Sequence, residues 1–200
     1  MKKSLIALAV TQLAMPSGGR RARTRDISFS YRMPVGFPGD VDRTHPFSVV
    51  PGNMDTTNPA KLYGDPVIVN TSANTYRGLI ASDTGVTKIA GILVRPYPVS
   101  QTTGGMSASV GAATPPTGPA VIDVLNEGFM IVKCNNVSGT NSTKGSAVYI
   151  WVAADSGNHK QGGFEAASSG STITITNALW DGPCDTTTGI GRIQVMAPGA

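Results

Sequence analysis

The sequence predicts an all-β fold, an antiparallel β-sandwich or barrel with long Pro/Gly-rich loops and an extended N-terminal arm. The 200 residues include 24 glycines and 14 prolines, which interrupt helices and end strands. Only 14% of the residues are charged, against about 25% in an average globular protein. These observations exclude a helical bundle or coiled coil. The 40% share of hydrophobic residues, placed partly in β-branched runs, excludes disorder throughout.

Strands are predicted in order from apolar runs and from the alternation of apolar and polar residues. The clearest alternation is in ISFSY at 27–31, which a proline- and glycine-rich stretch follows, and in STITIT at 171–176. The other predicted strands cover 47–50, 67–69, 75–80, 88–94, 121–125, 129–134, 147–152 and 191–196. Ten strands at this spacing indicate a sandwich or a barrel.

Proline and glycine mark where these strands begin and end. Pro51-Gly52-Asn53 predicts a turn after the second strand, and Pro66 suits the start of the third because its φ is fixed. Alternate prolines in Arg95-Pro96-Tyr97-Pro98 end the fifth strand in an extended corner. The Gly/Thr/Pro-rich stretch 100–119 is predicted as a long loop, and such loops inside compact domains usually serve function or linkage.

Basic charge is concentrated at the N-terminus, where residues 1–32 hold seven Lys and Arg residues against one acidic residue, Asp26. We therefore predict a basic N-terminal arm at 1–26 and a single β-rich domain at 27–200. The arm contains four closely spaced arginines: Arg20, Arg21, Arg23 and Arg25. Such a run can contact phosphates, but no aromatic residue interleaves it for base stacking. A protein-docking or solvated tail is therefore favoured over nucleic-acid binding.

The first fifteen residues allow two interpretations. Lys2 and Lys3, followed by the apolar run 5–10, are similar to the start of a secretory signal peptide. The run is short, and the arginines beyond it would hinder export, so we expect a short helix or an ordered arm instead. The run is also far too short to span a bilayer, and no membrane partner is predicted.

The polar residues predict no enzyme, cofactor or metal site. His45, Asp55 and Ser146 follow the order of a chymotrypsin-like triad, but no glycine follows Ser146 as a nucleophile loop requires. Asp40 and Asp42 could bind a cation, although carboxylates on such a turn more often act as caps.

The two cysteines, Cys134 and Cys184, are too far apart in sequence for a zinc motif. A disulfide between them is possible, but two reduced thiols are expected because the chain has no clear export signal.

Seven short strings occur in a characteristic order along the chain. They are MPVGFPGDVDR (33–43), YGDPV (63–67), IAGILVRPYP (89–98), GAATPP (111–116), VIDV with EG (121–124 and 127–128), KGSAVY (144–149) and QGGFE (161–165). Over residues 27–196 the series resembles the structural cement (capsid decoration) proteins of tailed bacteriophages. The basic extension before residue 27 departs from the shorter start of that family.

The resemblance implies a non-enzymatic virion protein that binds the outside of the capsid and is present in the host cytoplasm during assembly. It implies that the protein bridges neighbouring major capsid subunits, self-associates as a dimer or trimer, and stabilises the head against internal DNA pressure. It implies no small-molecule substrate. Few charges to desolvate and proline segments with a preset conformation suit such a role. The predicted partner-contacting residues are Arg20, Arg21, Arg23, Arg25, Arg95, Pro96, Tyr97, Pro98, Pro115 and Pro116.

Three alternatives remain open. Arg95 and Tyr97 fit a buried structural corner equally well. A secreted or surface β-sandwich, an adhesin or carbohydrate-binding module, would also explain the composition. It should expose aromatic rings for sugar stacking, yet the only tryptophans are Trp151, in a predicted core strand, and Trp180. A small hydrolase would require the Ser146 site.

Overall fold

The computed structural model describes residues 37–96, 114–135 and 142–197, and these residues form one curled, nine-stranded antiparallel sheet. The strands are β1 (Ser48–Asn53), β2 (Pro66–Asn70), β3 (Thr75–Gly78), β4 (Gly91–Leu93), β5 (Val121–Lys133), β6 (Ala147–Trp151), β7 (Phe164–Glu165), β8 (Thr172–Trp180) and β9 (Ile190–Val195). The all-β prediction is confirmed. Within the described ranges, no helix has the length and apolar character needed to cross a membrane.

Strand β5 is the centre of the sheet. The strand order is β3-β2-β4-β5-β9-β8-β6-β7, and β1 also pairs with β5. The first half of β5 lies between β1 and β4. Its second half pairs with β9 and, through Val41 opposite Met130, with the chain that precedes β1. One continuous strand therefore joins a first half-sheet, β1–β4, to a second half-sheet, β6–β9.

A bulge separates the two halves of β5. The pairing with β1 skips Asn126, and two residues later Gly128 has a φ of +127°. A Cβ added to Gly128 would lie 2.8 Å from the Cβ of Phe47. Bulges bend a strand and increase its twist. This one lies where β5 passes from the first half-sheet to the second.

The second half-sheet closes on itself. Phe164 of β7 forms a parallel bridge with Cys134, the residue that follows β5. The Asn135 N–H also donates to the Phe164 carbonyl at 2.8 Å. Pairing therefore runs from β5 through β9, β8, β6 and β7 back to the end of β5, as in a small barrel.

Two hydrophobic clusters lie on opposite faces of the first half-sheet. The larger fills the closed half and includes Met130, Val132, Val148, Ile150, Phe164, Ile173, Ile175, Trp180, Ile193 and Val195, with Ile68, Ile92 and Leu125 from the first half. The smaller contains Met54, Ala60, Val67, Leu93, Ile122 and Val124. Sequence neighbours such as Val67 and Ile68 enter different clusters because successive strand residues point to opposite faces. The first half-sheet is therefore buried on both sides.

A buried side-chain amide links β8 to the chain that leads into β4. Asn177 Oδ1 accepts from the Ile89 N–H at 3.0 Å, and its Nδ2 donates to the Ile89 carbonyl at 2.9 Å. The neighbouring Thr176 N–H donates to the Thr87 carbonyl at 2.8 Å. The Asn177 side chain thus satisfies backbone groups of Ile89 that burial would otherwise leave unpaired.

A buried carboxylate holds the chain that covers the smaller cluster. Asp55 accepts hydrogen bonds from the N–H groups of Asn58 (2.9 Å) and Thr57 (2.8 Å). It also accepts from the side chains of Asn70 (2.7 Å) and Thr75 (3.1 Å). These donors, the Asn58 N–H first among them, lower the pKa of Asp55 to about 2. Asp55 therefore ties the covering segment to β2 and β3.

The structure corrects several strand boundaries. The two strands predicted at 121–125 and 129–134 are the single strand β5, because the bulge bends the chain without ending its pairing. The turn predicted at 51–53 is the end of β1, where Pro51 is tolerated since β1 pairs on one side alone among the described strands. Strand β8 continues to Trp180, and the two-residue strand β7 was not predicted. The strand predicted at 27–31 lies outside the described residues.

Substituting Gly128→Ala should destabilise the fold by about 1–3 kcal/mol, because an L-residue is strained at this φ and its Cβ would meet Phe47. The matched control is Gly85→Ala, since Gly85 has open space around its Cβ position. We expect that control to change the free energy of unfolding by less than about 0.5 kcal/mol. Urea denaturation measures both variants. Equal stability of the two would contradict the role given to Gly128.

Substituting Asp55→Asn should lower stability at pH 7, because a neutral amide accepts these hydrogen bonds less strongly than a carboxylate does. The folded-state pKa of about 2 lies below the ordinary value, so the ionised form stabilises the fold above about pH 4. That contribution is lost as the pH falls through 2. The stability difference between wild type and variant should therefore shrink between pH 4 and 2 in urea titrations. A difference independent of pH would contradict this account.

Candidate functional site

The segment 97–113 lies outside the described residues; it follows β4, which pairs with the start of β5, and precedes β5 in the chain. Leu93 of β4 lies opposite Val124, and the Val94 N–H donates to the Asp123 carbonyl at 2.8 Å. The described chain resumes at Thr114 and enters β5 at residue 121, beside the end of β1. We call residues 51–53, 95–96 and 114–121 together the β5 entry surface.

The β5 entry surface is rich in proline and includes no exposed charged residue, but Asp123, which pairs with Pro51 at its border, is exposed. Val121 is 73% exposed, and Pro51, Pro96 and Pro119 are also exposed. Its one charged residue, Arg95, is 8% exposed. Apolar area of this kind costs little to desolvate when another protein covers it.

Arg95 lies inside the corner at the edge of this surface. Its N–H donates to the Gly39 carbonyl at 2.9 Å, and its guanidinium lies over the Phe37 ring, 4.7 Å from the centroid. Its Nη2 is buried and has no hydrogen-bond partner among the described residues. This geometry agrees with the buried-corner interpretation. Contact between the Arg95 side chain and a partner stays a prediction.

The other predicted contact residues divide into two groups. Pro96 is exposed, Pro115 is buried and Pro116 is half-buried, all on the β5 entry surface. The remainder lie outside the described residues and stay predictions: Arg20, Arg21, Arg23, Arg25, Tyr97 and Pro98. Sequence reasoning missed Val121, although the alternation of β5, which turns Ile122 inward, was a usable signal.

The residues considered for a protease triad have separate partners. His45 Nδ1 lies 3.0 Å from Thr44 Oγ1, and Ser146 Oγ donates to the Thr143 carbonyl at 2.7 Å. The Asp55 carboxylate accepts hydrogen bonds from the N–H groups of Thr57 and Asn58 and from two side chains. No hydrogen bond or ion pair described in the structure joins any two of the three. The described ranges also contain no cluster of three or more His, Cys, Asp or Glu side chains suited to a metal ion.

The two carboxylates considered for a cation have local partners. Asp40 Oδ2 accepts from the Phe37 N–H at 2.9 Å. Asp42 Oδ2 lies 2.8 Å from Arg192 Nη1, and Arg192 also pairs with Asp181. Asp40 therefore caps a turn and Asp42 belongs to a surface ion-pair network.

Cys134 and Cys184 are buried free thiols, in agreement with the expected reduced state. A hydrogen bond from Cys134 lowers the pKa of Cys184. Both side chains belong to the larger hydrophobic cluster.

A curled sheet whose first half is packed on both faces, together with a proline-rich end that has few charges, is typical of a structural β-protein that packs against other proteins. Comparison with known proteins identifies the family of this structural protein. The family model of the XM1 gp53 minor capsid protein matches residues 27–199, so the chain belongs to that family. It is therefore a structural protein of a phage capsid and a component of the virion, and the expectation of a phage capsid-associated family is confirmed.

A solved structure supports the same fold. The chain is similar to one in the capsid of Myoviridae Phage XM1, with a TM-score of 0.53 and 18% sequence identity. The match covers 79% of this chain and 88% of that one. No curated protein matches the sequence.

Proposed function

We propose that this protein is a non-enzymatic cement protein on the outer surface of the capsid. It bridges neighbouring major capsid subunits, self-associates on the lattice, and stabilises the head against internal DNA pressure. The β5 entry surface carries the proposal, because it combines exposed apolar area with few charged groups: Arg95 is buried, and the exposed Asp123 lies at its border. Assembly takes place in the host cytoplasm before the protein becomes part of the virion.

The form of the surface suits a stable interface. Val121 presents an apolar side chain, and the exposed prolines lose little conformational entropy when a partner covers them. The predicted contacts Tyr97 and Pro98 directly follow the exposed Pro96 in the sequence and lie outside the described residues. Repetition over a lattice multiplies the effect of each modest contact.

The direct connection between this surface and the paired strands of the sheet suits a role in resisting mechanical force. Val121 is the first residue of β5, which hydrogen-bonds to strands of both half-sheets. Both faces of the first half-sheet are packed, and well-packed interiors have low compressibility. A force applied at the entry surface therefore passes into paired strands and not into a loop.

The direct test adds purified protein to capsids from which it has been removed. Wild type should bind at stoichiometric occupancy and raise the temperature at which the heads release DNA. Val121→Asp should bind at least about tenfold more weakly, because it places a charge in an apolar interface.

Val69→Asp is the matched control, since Val69 of β2 is also an exposed valine, at 46%, and lies outside the entry surface. It should bind as wild type does. Wild-type protein that fails to bind, or that binds without a gain in heat resistance, would refute the cement role. Equal binding by both aspartate variants would refute the assignment of the surface.

Deleting residues 1–26 should weaken capsid binding and leave the fold intact. The reason is that the arm has a net positive charge, with six Lys and Arg residues against Asp26, and would dock on acidic faces of neighbouring subunits. Circular dichroism checks the fold, and capsid binding at low and high salt checks the electrostatic part, which salt should weaken. Loss of the β-sheet signal in the truncated protein would show instead that these residues belong to the core.

A further inference from the structure

A pocket of about 400 Å³ lies on the outside of the second half-sheet, away from the β5 entry surface. Trp151 at the end of β6, His159 in the β6–β7 connection and Glu165 of β7 line it. Residues 167–171, which lead into β8, form the rest of the lining. The volume is in the range of small-molecule sites, which are about 300–1,000 Å³.

Trp151 presents a fixed aromatic surface at this pocket. It alternates with the buried Val148 and Ile150 along β6, so its side chain points away from the core. The indole Nε1 donates to the Ala154 carbonyl at 3.1 Å. The indole ring stacks on the His159 imidazole at 4.3 Å, with 19° between the planes. The sequence correctly placed Trp151 in a core strand, but the side chain lies on the outer face of that strand.

Glu165 brings a buried carboxylate to the pocket, with its side chain 5% exposed. Its Oε1 is 2.7 Å from His159 Nδ1 and accepts from Asn135 Nδ2 at 3.0 Å. Both hydrogen bonds go to the same oxygen. A carboxylate has two acceptor oxygens, so Oε2 can accept from a ligand in the pocket that carries hydrogen-bond donors.

The rest of the lining selects against anions. Three serines, Ser168, Ser169 and Ser171, provide small polar groups, and Gly170 adds no side chain to the wall of the pocket. Thr172 Oγ1 accepts from the Ser169 N–H at 2.8 Å and donates to the Ser169 carbonyl at 3.1 Å, which fixes this loop. The residues that line the pocket include no Lys or Arg, so a phosphate or sulfate group would meet a carboxylate with no compensating cation.

We propose that this pocket binds a saccharide. The aliphatic face of one sugar ring packs against the Trp151–His159 stack, because a large rigid aromatic surface favours apolar C–H groups. Vicinal hydroxyls of the same ring donate to Glu165 Oε2, and serine hydroxyls, which both donate and accept, bind the remaining ones. This binding site is separate from the β5 entry surface and does not depend on the cement role.

Saturation-transfer NMR and calorimetry with the methyl glycosides of glucose, galactose, mannose and N-acetylglucosamine test the proposal on the full chain. At least one should bind with a dissociation constant on the order of 1 mM. Trp151→Ala and Glu165→Gln should each weaken that binding about tenfold or more. The matched control is Phe129→Ala, which removes a half-buried aromatic residue of β5 that does not line the pocket. It should leave binding unchanged.

Circular dichroism establishes that each variant is folded, and Trp151→Phe, which keeps an aromatic ring, should retain part of the affinity. Absence of binding by all four glycosides to folded wild type would overturn the proposal. Binding that survives Trp151→Ala would also overturn it, because the site would then lie elsewhere. So would binding of tetramethylammonium in the absence of any glycoside binding, since the pocket would then be a cation site.

Discussion

Strand β5 has to pair with β1 and β4 along one half and with β9 along the other, and the rest of the structure depends on that requirement. A straight strand could not serve both groups, so the pairing skips Asn126 and Gly128 adopts a positive φ. The bend lets the second half-sheet curl until Phe164 meets Cys134. It also lets the first half-sheet carry one cluster on each face. The two half-sheets therefore share one continuous strand, β5.

Polar side chains form hydrogen bonds with backbone groups that strand pairing leaves without a partner. Asn177 satisfies the backbone of Ile89, and Asp55 collects the donors of the segment that covers the smaller cluster. These groups act inside the fold, whereas the start of β5 presents the apolar Val121 at the surface, with the exposed Asp123 at its border. A surface with few charges suits a protein of a shell, where neighbouring subunits cover exposed area. The outward Trp151 and the carboxylate of Glu165 lie together at the pocket for which we propose a separate ligand.

Local sequence signals predicted the fold class and most strands, since alternation and β-branched runs report which face of a strand is buried. They failed where tertiary contacts decide the outcome. Gly128 looked like a strand end, whereas close packing against Phe47 and continued pairing with β9 make it a bend. Pro51 was interpreted as part of a turn, because the sequence does not show that β1 is a strand at the edge of the described pairing. The contact residues predicted from the sequence include the exposed Pro96 and not Val121, and contact of either residue with a partner stays a prediction. The sequence could not place Trp151 beside Glu165, because their pocket forms only when the sheet curls.

We propose that this family member lies on the outside of the shell and joins neighbouring major capsid subunits through the start of β5. A cryo-electron microscopy reconstruction of the assembled head, at a resolution that traces strands, tests this position. We expect the β-rich protein on the outer surface, with Val121 and the prolines around it buried against at least two subunits. A domain on the inner surface would contradict it. So would a domain whose β5 entry surface faces solvent while another face contacts the shell.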